Sequence, residues 1–289
     1  MRTTACWDGC RRRGVRGGTA SAGEAAETAV PGFASDADEE QKWITLENGT
    51  HVPVGNGKIV SGPSGVKGKP YRPQSSGKSE PISKEAAAEY SRNKRNSLPP
   101  QASAGMKNTY FAAIHSEPEI TNVLQDITSQ TNGRLEGLDF RVKEGDSFLR
   151  KCIKDAEEKN KSAEQVAESL YDVVRYTQVS NVESFSSNTH KTIDSLCSKG
   201  YNIAGIKNTI GDADAPYRGI NVKIETPQGQ RFELQFHTQQ SLEIKEANHK
   251  LHEQRRVLSK DDPAYERLSR KMTENARLIQ TPPGSDTLR

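Results

Sequence analysis

The chain has 289 residues, of which 32% are hydrophobic and only 6% aromatic, too small a share to bury the whole length in one core. Its 41 Lys and Arg nearly cancel its 38 Asp and Glu, so bulk charge demands neither a nucleic acid nor a membrane as partner, and any anion site must come from local clustering. No run approaches the roughly 18 apolar residues of a membrane span, and the basic start at Arg11, Arg12 and Arg13 leads into no apolar signal segment. Cys6, Cys10, Cys152 and Cys197 are too few and too scattered for a disulfide framework or a closed zinc site, which points to a reducing, cytoplasmic setting.

Residues 1–40 are rich in Gly, Ala, Ser, Thr and charge, cannot repay the entropy of ordering, and are expected to be disordered. A small β module follows over 41–62: the runs Lys42–Leu46 and Thr50–Val54 meet at Asn48-Gly49, a strong hairpin signal, and a turn at Gly55-Asn56-Gly57 leads to Lys58-Ile59-Val60. Residues 63–104 read as a Gly/Pro/Ser/Lys linker with a short polar helix opening near Ser83 and fading before Pro99-Pro100. From 105 to 289 the pattern is globular.

Within that region Ile120, Val123, Leu124 and Ile127 recur at helical spacing, as do Phe148, Cys152 and Ile153, then Val166, Ser169 and Leu170. Val173–Thr177 is a β-branched run expected as a strand begun by Asp172. Residues 182–199 are expected to be helical with Gly200 as the stop, and Tyr201–Asn208 to be a strand. Gly219–Thr226 and Arg231–Thr238 flank a turn of hairpin length, and two charged helices follow near 239–259 and 263–279. Helices alternating with a mixed sheet that ends in a hairpin indicate an α+β domain.

Four clusters bear on chemistry. Arg141 and Lys143, two apart in an extended stretch, share a side, and Ser147, Arg150, Lys151 and Lys154 fall on one face of the next helix. They make either a cationic wall able to hold a triphosphate or a solvated face balanced by Glu144, Asp146 and Asp155. On the last strand Glu233, Gln235 and His237 alternate with Phe232, Leu234 and Phe236, one face polar and one apolar. Asp172 opposite Glu233 could hold Mg²⁺ between them or simply end a helix. Tyr217 in Pro216–Asn221 could stack on a base, with Asn221 on a phosphate or sugar, or could anchor a turn, and His249, Lys250, Arg255 and Arg256 could complete a phosphate site.

The order of these parts resembles the synthetase domain of the RelA/SpoT family of alarmone-making nucleotide pyrophosphokinases. Arg141-Val142-Lys143 with Ser147 is similar to that family's Arg-x-Lys ATP clamp, and Tyr171–Arg175 to the strand carrying its metal-binding Asp. Pro216–Asn221 is similar to its Gly-Tyr-Arg-Ser-Leu-His acceptor loop, Phe232–Thr238 to its Glu-x-Gln-x-Arg-Thr strand, and His249 to the histidine of the following helix. The resemblance implies a nucleotidyltransferase-like mixed sheet flanked by helices and Mg²⁺-dependent transfer of pyrophosphate from ATP to a nucleotide. It implies Asp172 and Glu233 as catalytic and metal-holding, Arg141, Lys143, Ser147, Arg150 and Lys151 on ATP, and Tyr217, Arg218, Asn221, Gln235, His237 and His249 on the acceptor.

Asn221 stands where the family has His, His237 where it has Arg, and Arg175 follows Asp172 by three residues where the family has Arg at five. These departures touch the acceptor side, leaving GDP or GTP, an adenine nucleotide and an RNA 3′ end as acceptors. No His-Asp dipeptide of the family's hydrolase half occurs, so the implied enzyme only synthesises and would be toxic, with an antitoxin or immunity protein as an expected partner. Trp43-Ile44-Thr45 with Gly49–Val54 resembles a segment that links phage minor head proteins of the Mu F type to variable C-terminal domains, implying phage head or portal partners and a virion-associated location. The competing expectation is a non-catalytic phage structural protein that binds nucleotide or RNA.

Overall fold

The computed structural model describes residues 42–45, 51–54, 83–131 and 133–288. The expected disorder of residues 1–40, the turns at Asn48-Gly49 and Gly55–Gly57, the run Lys58–Val60 and the linker stretch 61–80 lie outside these residues. Strands β1 (Lys42–Thr45) and β2 (His51–Val54) pair antiparallel with Thr45 opposite His51, in keeping with the hairpin reading. Among the described residues no helix is long and apolar enough to cross a membrane.

Helix α1 (Lys84–Asn96) starts where the Ser83 hydroxyl accepts the Ala86 N–H at 3.2 Å. It does not stand off as part of a linker. The Tyr90 hydroxyl accepts from the Val142 N–H at 3.1 Å and donates to the Asp139 carbonyl at 3.2 Å, while Lys94 pairs with Glu144. Gly145 marks how closely the following segment lies, because a Cβ there would overlap the Ser97 carbonyl oxygen. The packed unit therefore includes Ser83–Ala104 as well as the region expected from 105 onward.

The remaining elements are α2 (Ala104–Ser129), β3 (Arg134–Glu136), a 3₁₀ turn (Leu138–Phe140), α3 (Gly145–Lys159), α4 (Ala163–Ser169) and β4 (Arg175–Ser180). Then come α5 (Phe185–Ser198), β5 (Asn202–Asn208), β6 (Ile220–Glu225), β7 (Arg231–Thr238), α6 (Gln239–Arg255) and α7 (Pro263–Arg277). Strands β3 to β7 form one sheet in the order β3-β4-β7-β6-β5, with β4 parallel to β7 and the other pairs antiparallel. This is the mixed, helix-flanked α+β fold expected from the sequence. Gly200 closes α5 at φ +85, a conformation open to glycine at little cost.

Alternation along the strands divides the sheet into two faces. Tyr176, Phe232, Leu234, Phe236, Ile220, Val222 and Ile224 are all buried on one of them, each contributing about 1.5–3 kcal/mol as a fully buried large side chain. Helices α2 and α5 cover that face: Tyr176 reaches Thr121 of α2 at 2.7 Å, and Thr192 of α5 donates to Gln178 at 3.1 Å. Helix α2 runs through Pro118 despite the missing N–H, since Ile114 and Ile120 on either side are buried in the core and tertiary packing outweighs one lost backbone bond.

Two strand expectations shift. The strand foreseen from Val173 begins at Arg175, because Val173 and Val174 are buried in the core and only Val174 makes an isolated bridge, to Val142; Asp172 lies in the lead-in rather than on the strand. Arg141 is not extended either. Its φ −67 and ψ −23 close the 3₁₀ turn, which turns its side chain inward.

There Arg141 meets Glu117 of α2 in a buried pair, both under 5% exposed. Its Nη1 donates to the Leu138 carbonyl at 2.6 Å, and its guanidinium lies 3.7 Å from the centre of the Tyr90 ring. Glu117 also accepts from Thr121, and its carbonyl accepts from the Tyr176 hydroxyl at 3.1 Å. Removing one partner of such a pair strands a buried charge, so Glu117→Ala is expected to destabilise the protein by about 3–5 kcal/mol in urea denaturation, whereas the apolar double replacement Glu117→Leu/Arg141→Met recovers much of the loss.

Candidate active site

Across β4 and β7, Arg175 is registered with Glu233 and Thr177 with Gln235; across β6 and β7, Asn221 is registered with Gln235 and Lys223 with Glu233. These residues share the sheet face opposite the core. They floor a cleft of ≈ 1280 Å³, walled by α3, the residues before β4, the loop before β6 and α6. The volume exceeds the roughly 300–1,000 Å³ usual for one small-molecule site and suits two ligands side by side.

Asp172 and Glu233 both line this cleft. The Glu233 N–H bonds the Val174 carbonyl at 3.0 Å, so the lead-in carrying Asp172 runs past the Glu233 end of β7. Burial pushes the Asp172 carboxyl up, but Lys143, whose Nζ lies 2.9 Å from Oδ2, together with Lys151 and Arg175 outweighs it and holds the group below the ordinary carboxylate value. Glu233 accepts from the Gln235 amide at 2.7 Å. Two carboxylates of this kind are hard oxygen donors and fit Mg²⁺. Apart from that pair, the trio His249, His252 and Glu253 brings its ligand atoms within 4.8 Å of one another at the α6 rim.

The expected ATP contacts separate. Lys151 lines the cleft with Asp155 and Lys159, at i, i+4 and i+8 of α3, and Ser147 lies one turn before them. Arg150 and Lys154 line a different, shallow groove with Asp146 and Leu149, so the face expected to unite them with Lys151 is split by the helix's 3.6-residue period. Arg150 donates to Ser147 at 3.1 Å. Lys143 stands on Asp172. Arg141 is outside the cleft, its donors spent on Glu117 and Leu138.

Of the expected acceptor contacts, Tyr217, Asn221, Gln235 and His249 line the cleft. The Tyr217 hydroxyl donates to Asn221 Oδ1 at 2.5 Å and lies 3.0 Å from His237 Nε2, while the two rings meet edge to face at 5.4 Å. Burial and the nearby Glu233 raise the Tyr217 phenol far above its usual value, so it stays protonated. His237 is wholly buried behind Tyr217, with Nδ1 2.9 Å from Ser241 Oγ, and therefore orients Tyr217 rather than meeting a ligand. The approach demands glycine at 219, where a Cβ would sit 2.6 Å from His237 Cε1 and 2.7 Å from the Tyr217 hydroxyl. Arg218 points the other way, buried against the carbonyls of Ile210, Ala276 and Ile279 at 2.8, 3.1 and 2.8 Å, and is a structural tie.

Further along α6, Arg255 bonds Ser269 of α7 at 3.0 Å and Arg256 pairs with Glu253 at 2.6 Å. Lys245, Lys159, Lys223 and Phe140, none of them expected from the sequence, also line the cleft. Lys245, His249 and His252 stand at i, i+4 and i+7, one helical face, although that spacing does not say whether the face meets a cleft or water. Phe140 is 76% exposed at the rim, an aromatic surface ready to stack.

No protein-family model and no curated protein matches the chain. Among solved structures, it is similar to the Type VI effector Tas1 in complex with its immunity protein, at 18% identity over 62% of this chain and 98% of that one, with a TM-score of 0.45. Small alarmone synthetase 2 from Bacillus subtilis matches at 18% identity over 59% of this chain and 88% of that one, with a TM-score of 0.42. A GTP pyrophosphokinase family protein from Streptococcus pneumoniae matches at 17% identity over 60% and 86%, with a TM-score of 0.41.

Burial, reinforced by Lys245 and Arg175, holds the His237 ring neutral far below the usual value of 6.5. Below that value the unfolded chain takes up a proton that the folded protein refuses, so stability is full above it and falls as pH drops through it. Denaturation midpoints measured from about pH 7.5 to 5.5 should therefore fall less steeply for His237→Gln than for the wild type.

Proposed function

We propose that the domain is a Mg²⁺-dependent pyrophosphokinase that moves a diphosphate from ATP to the ribose hydroxyl of a nucleotide. The observation that carries this reading is the pair Asp172 and Glu233 in one two-ligand cleft, with Lys151, Lys159, Arg175, Lys223 and Lys245 among its lining cations. Carboxylates amid cations suit phosphoryl chemistry, in which positioning and charge neutralisation do most of the catalytic work.

On this reading Phe140 stacks on the donor base while Lys151, Lys159 and Arg175 hold its phosphates, and Lys143 can pass from Asp172 to a phosphate oxygen. Tyr217 stacks on the acceptor base. Glu233 takes the proton of the acceptor hydroxyl as that oxygen bonds to the β-phosphorus, the bond from that phosphorus to the α,β-bridging oxygen breaks, and AMP leaves. Mg²⁺, held by Asp172 and Glu233, supplies charge neutralisation on the phosphates when bound. Because Arg141 is committed to the core, the ATP side relies on α3 and Arg175.

A guanosine nucleotide as acceptor, giving a (p)ppGpp-type alarmone, rests on the motif resemblance, and so does a toxic role with an antitoxin or immunity partner. Attachment to a phage head rests on the Trp43–Val54 segment.

The purified chain, given labelled ATP and Mg²⁺ with GDP, GTP, ADP, ATP or an RNA 3′ end in turn, should release AMP and label one acceptor. Asp172→Asn and Glu233→Gln should each reduce transfer by at least about a hundredfold, as should chelation of the metal. Absence of AMP-releasing transfer with every acceptor would leave a nucleotide-binding protein without catalysis. Phe140→Ala should raise the KM for ATP about tenfold with kcat little changed, since base stacking is worth roughly 1–3 kcal/mol.

A further inference from the structure

Lys245 projects from α6 into the cleft, one turn before His249. Its Nζ donates to Gln235 Oε1 at 2.9 Å, and the Gln235 NH₂ donates in turn to Glu233 at 2.7 Å. The amide is thus locked between amine and carboxylate, its oxygen toward the helix and its nitrogen toward the candidate base.

The amine lacks a counter-ion. Its hydrogen bond goes to an uncharged amide, and no carboxylate among the described residues forms an ion pair with it. On the opposite wall the cations are matched, Lys143 with Asp172, and Lys151 and Lys159 with Asp155. The groups facing Lys245 come from three elements: Arg175 on β4, Glu233 and His237 on β7, and Glu246 beside it on α6. Burial first, and then Arg175, push the amine down to about 8, against the opposing pull of Glu246 and Glu233. A partly buried ammonium that the fold leaves unmatched is stabilised when a ligand brings the negative charge.

We infer that Lys245 is the specificity-determining cation of the acceptor side and binds the 5′-phosphate chain of a mononucleotide lying against Tyr217 and Asn221. The inference rests on the pyrophosphokinase reading for the word acceptor; the anion contact itself does not depend on transfer. It selects nucleoside di- and triphosphates over nucleosides, because only they carry charge to the amine.

The test is calorimetric titration of the full chain, its donor side filled with a non-hydrolysable ATP analogue, using guanosine and adenosine and their 5′-diphosphates. Wild type should bind the preferred diphosphate at least about tenfold more tightly than its nucleoside, the scale of one charge-assisted hydrogen bond. Lys245→Met should lose most of that gain while binding the nucleoside as before, and Lys245→Arg should restore it. Thermal melting of Lys245→Met should match or exceed that of the wild type, since an unmatched charge has been removed.

Retention of the full diphosphate preference by Lys245→Met would overturn the inference, and so would equal weakening for nucleoside and diphosphate, which marks a role only in positioning Gln235. If Lys245→Met fails to fold, Lys245→Arg decides alone, and loss of the preference in that variant counts against a simple charge contact. Diphosphate binding that depends on Lys245 without AMP release in any assay would remove the pyrophosphokinase reading and keep the anion site. AMP release with undiminished phosphate selectivity in Lys245→Met would do the reverse.

Discussion

The buried pair between Arg141 and Glu117 governs how the rest of the domain is arranged. Taking two charges out of water is costly, and the fold offsets that cost with Tyr90, Thr121, Tyr176 and the Leu138 carbonyl around them. These partners come from α1, α2, β4 and the 3₁₀ turn, so a single ionic contact fixes the relative placement of four segments. Two residues beyond Arg141, Lys143 reaches Asp172, and one residue before it Phe140 stands exposed at the cleft rim. The Phe140 side of the cleft is thus set by a contact on the far, dry side of the same short segment.

The sheet supplies the second constraint. Strand β7 is central, parallel to β4 and antiparallel to β6, and its alternation sends Phe232, Leu234 and Phe236 into the core while Glu233, Gln235 and His237 face the other way. Of those three, Glu233 and Gln235 form the floor of the cleft, and His237 is covered by Tyr217 and the first turn of α6. A continuous hydrogen-bonded layer therefore joins Asn221, Tyr217, His237 and Ser241, giving the Tyr217 wall of the cleft a rigid backing instead of a solvated loop.

Much of this was legible from residues alone where one periodicity ruled. The hairpin of β6 and β7, the stop at Gly200, the two closing helices and the inward faces of the strands all follow from alternation, turn residues and helical spacing. The site was legible where a side chain's backbone context was regular, as for Glu233, Gln235 and Asn221. It was not legible at Arg141, since a two-residue alternation assumes extended backbone and the 3₁₀ turn breaks it. Arg218 was equally opaque, because two of its three carbonyl partners, Ala276 and Ile279, lie about sixty residues away in sequence. Lys245 escaped notice because nothing local distinguishes a lysine that a helix tilts into a cleft from one that it tilts into water.

Arg218 carries a consequence for how the cleft answers to distant change. Its guanidinium takes its acceptors from Ala276, Ile279 and Thr281, and Asn208 at the end of β5 is held by the carbonyls of Ser285 and Leu288. The strand entrance next to Tyr217 is therefore closed by residues about sixty positions further along the chain, none of which lines the cleft. A substitution at Ala276, Ile279 or Thr281 would thus be felt at Tyr217 through the loop that Arg218 anchors, so the shape of the cleft answers to side chains that never touch it.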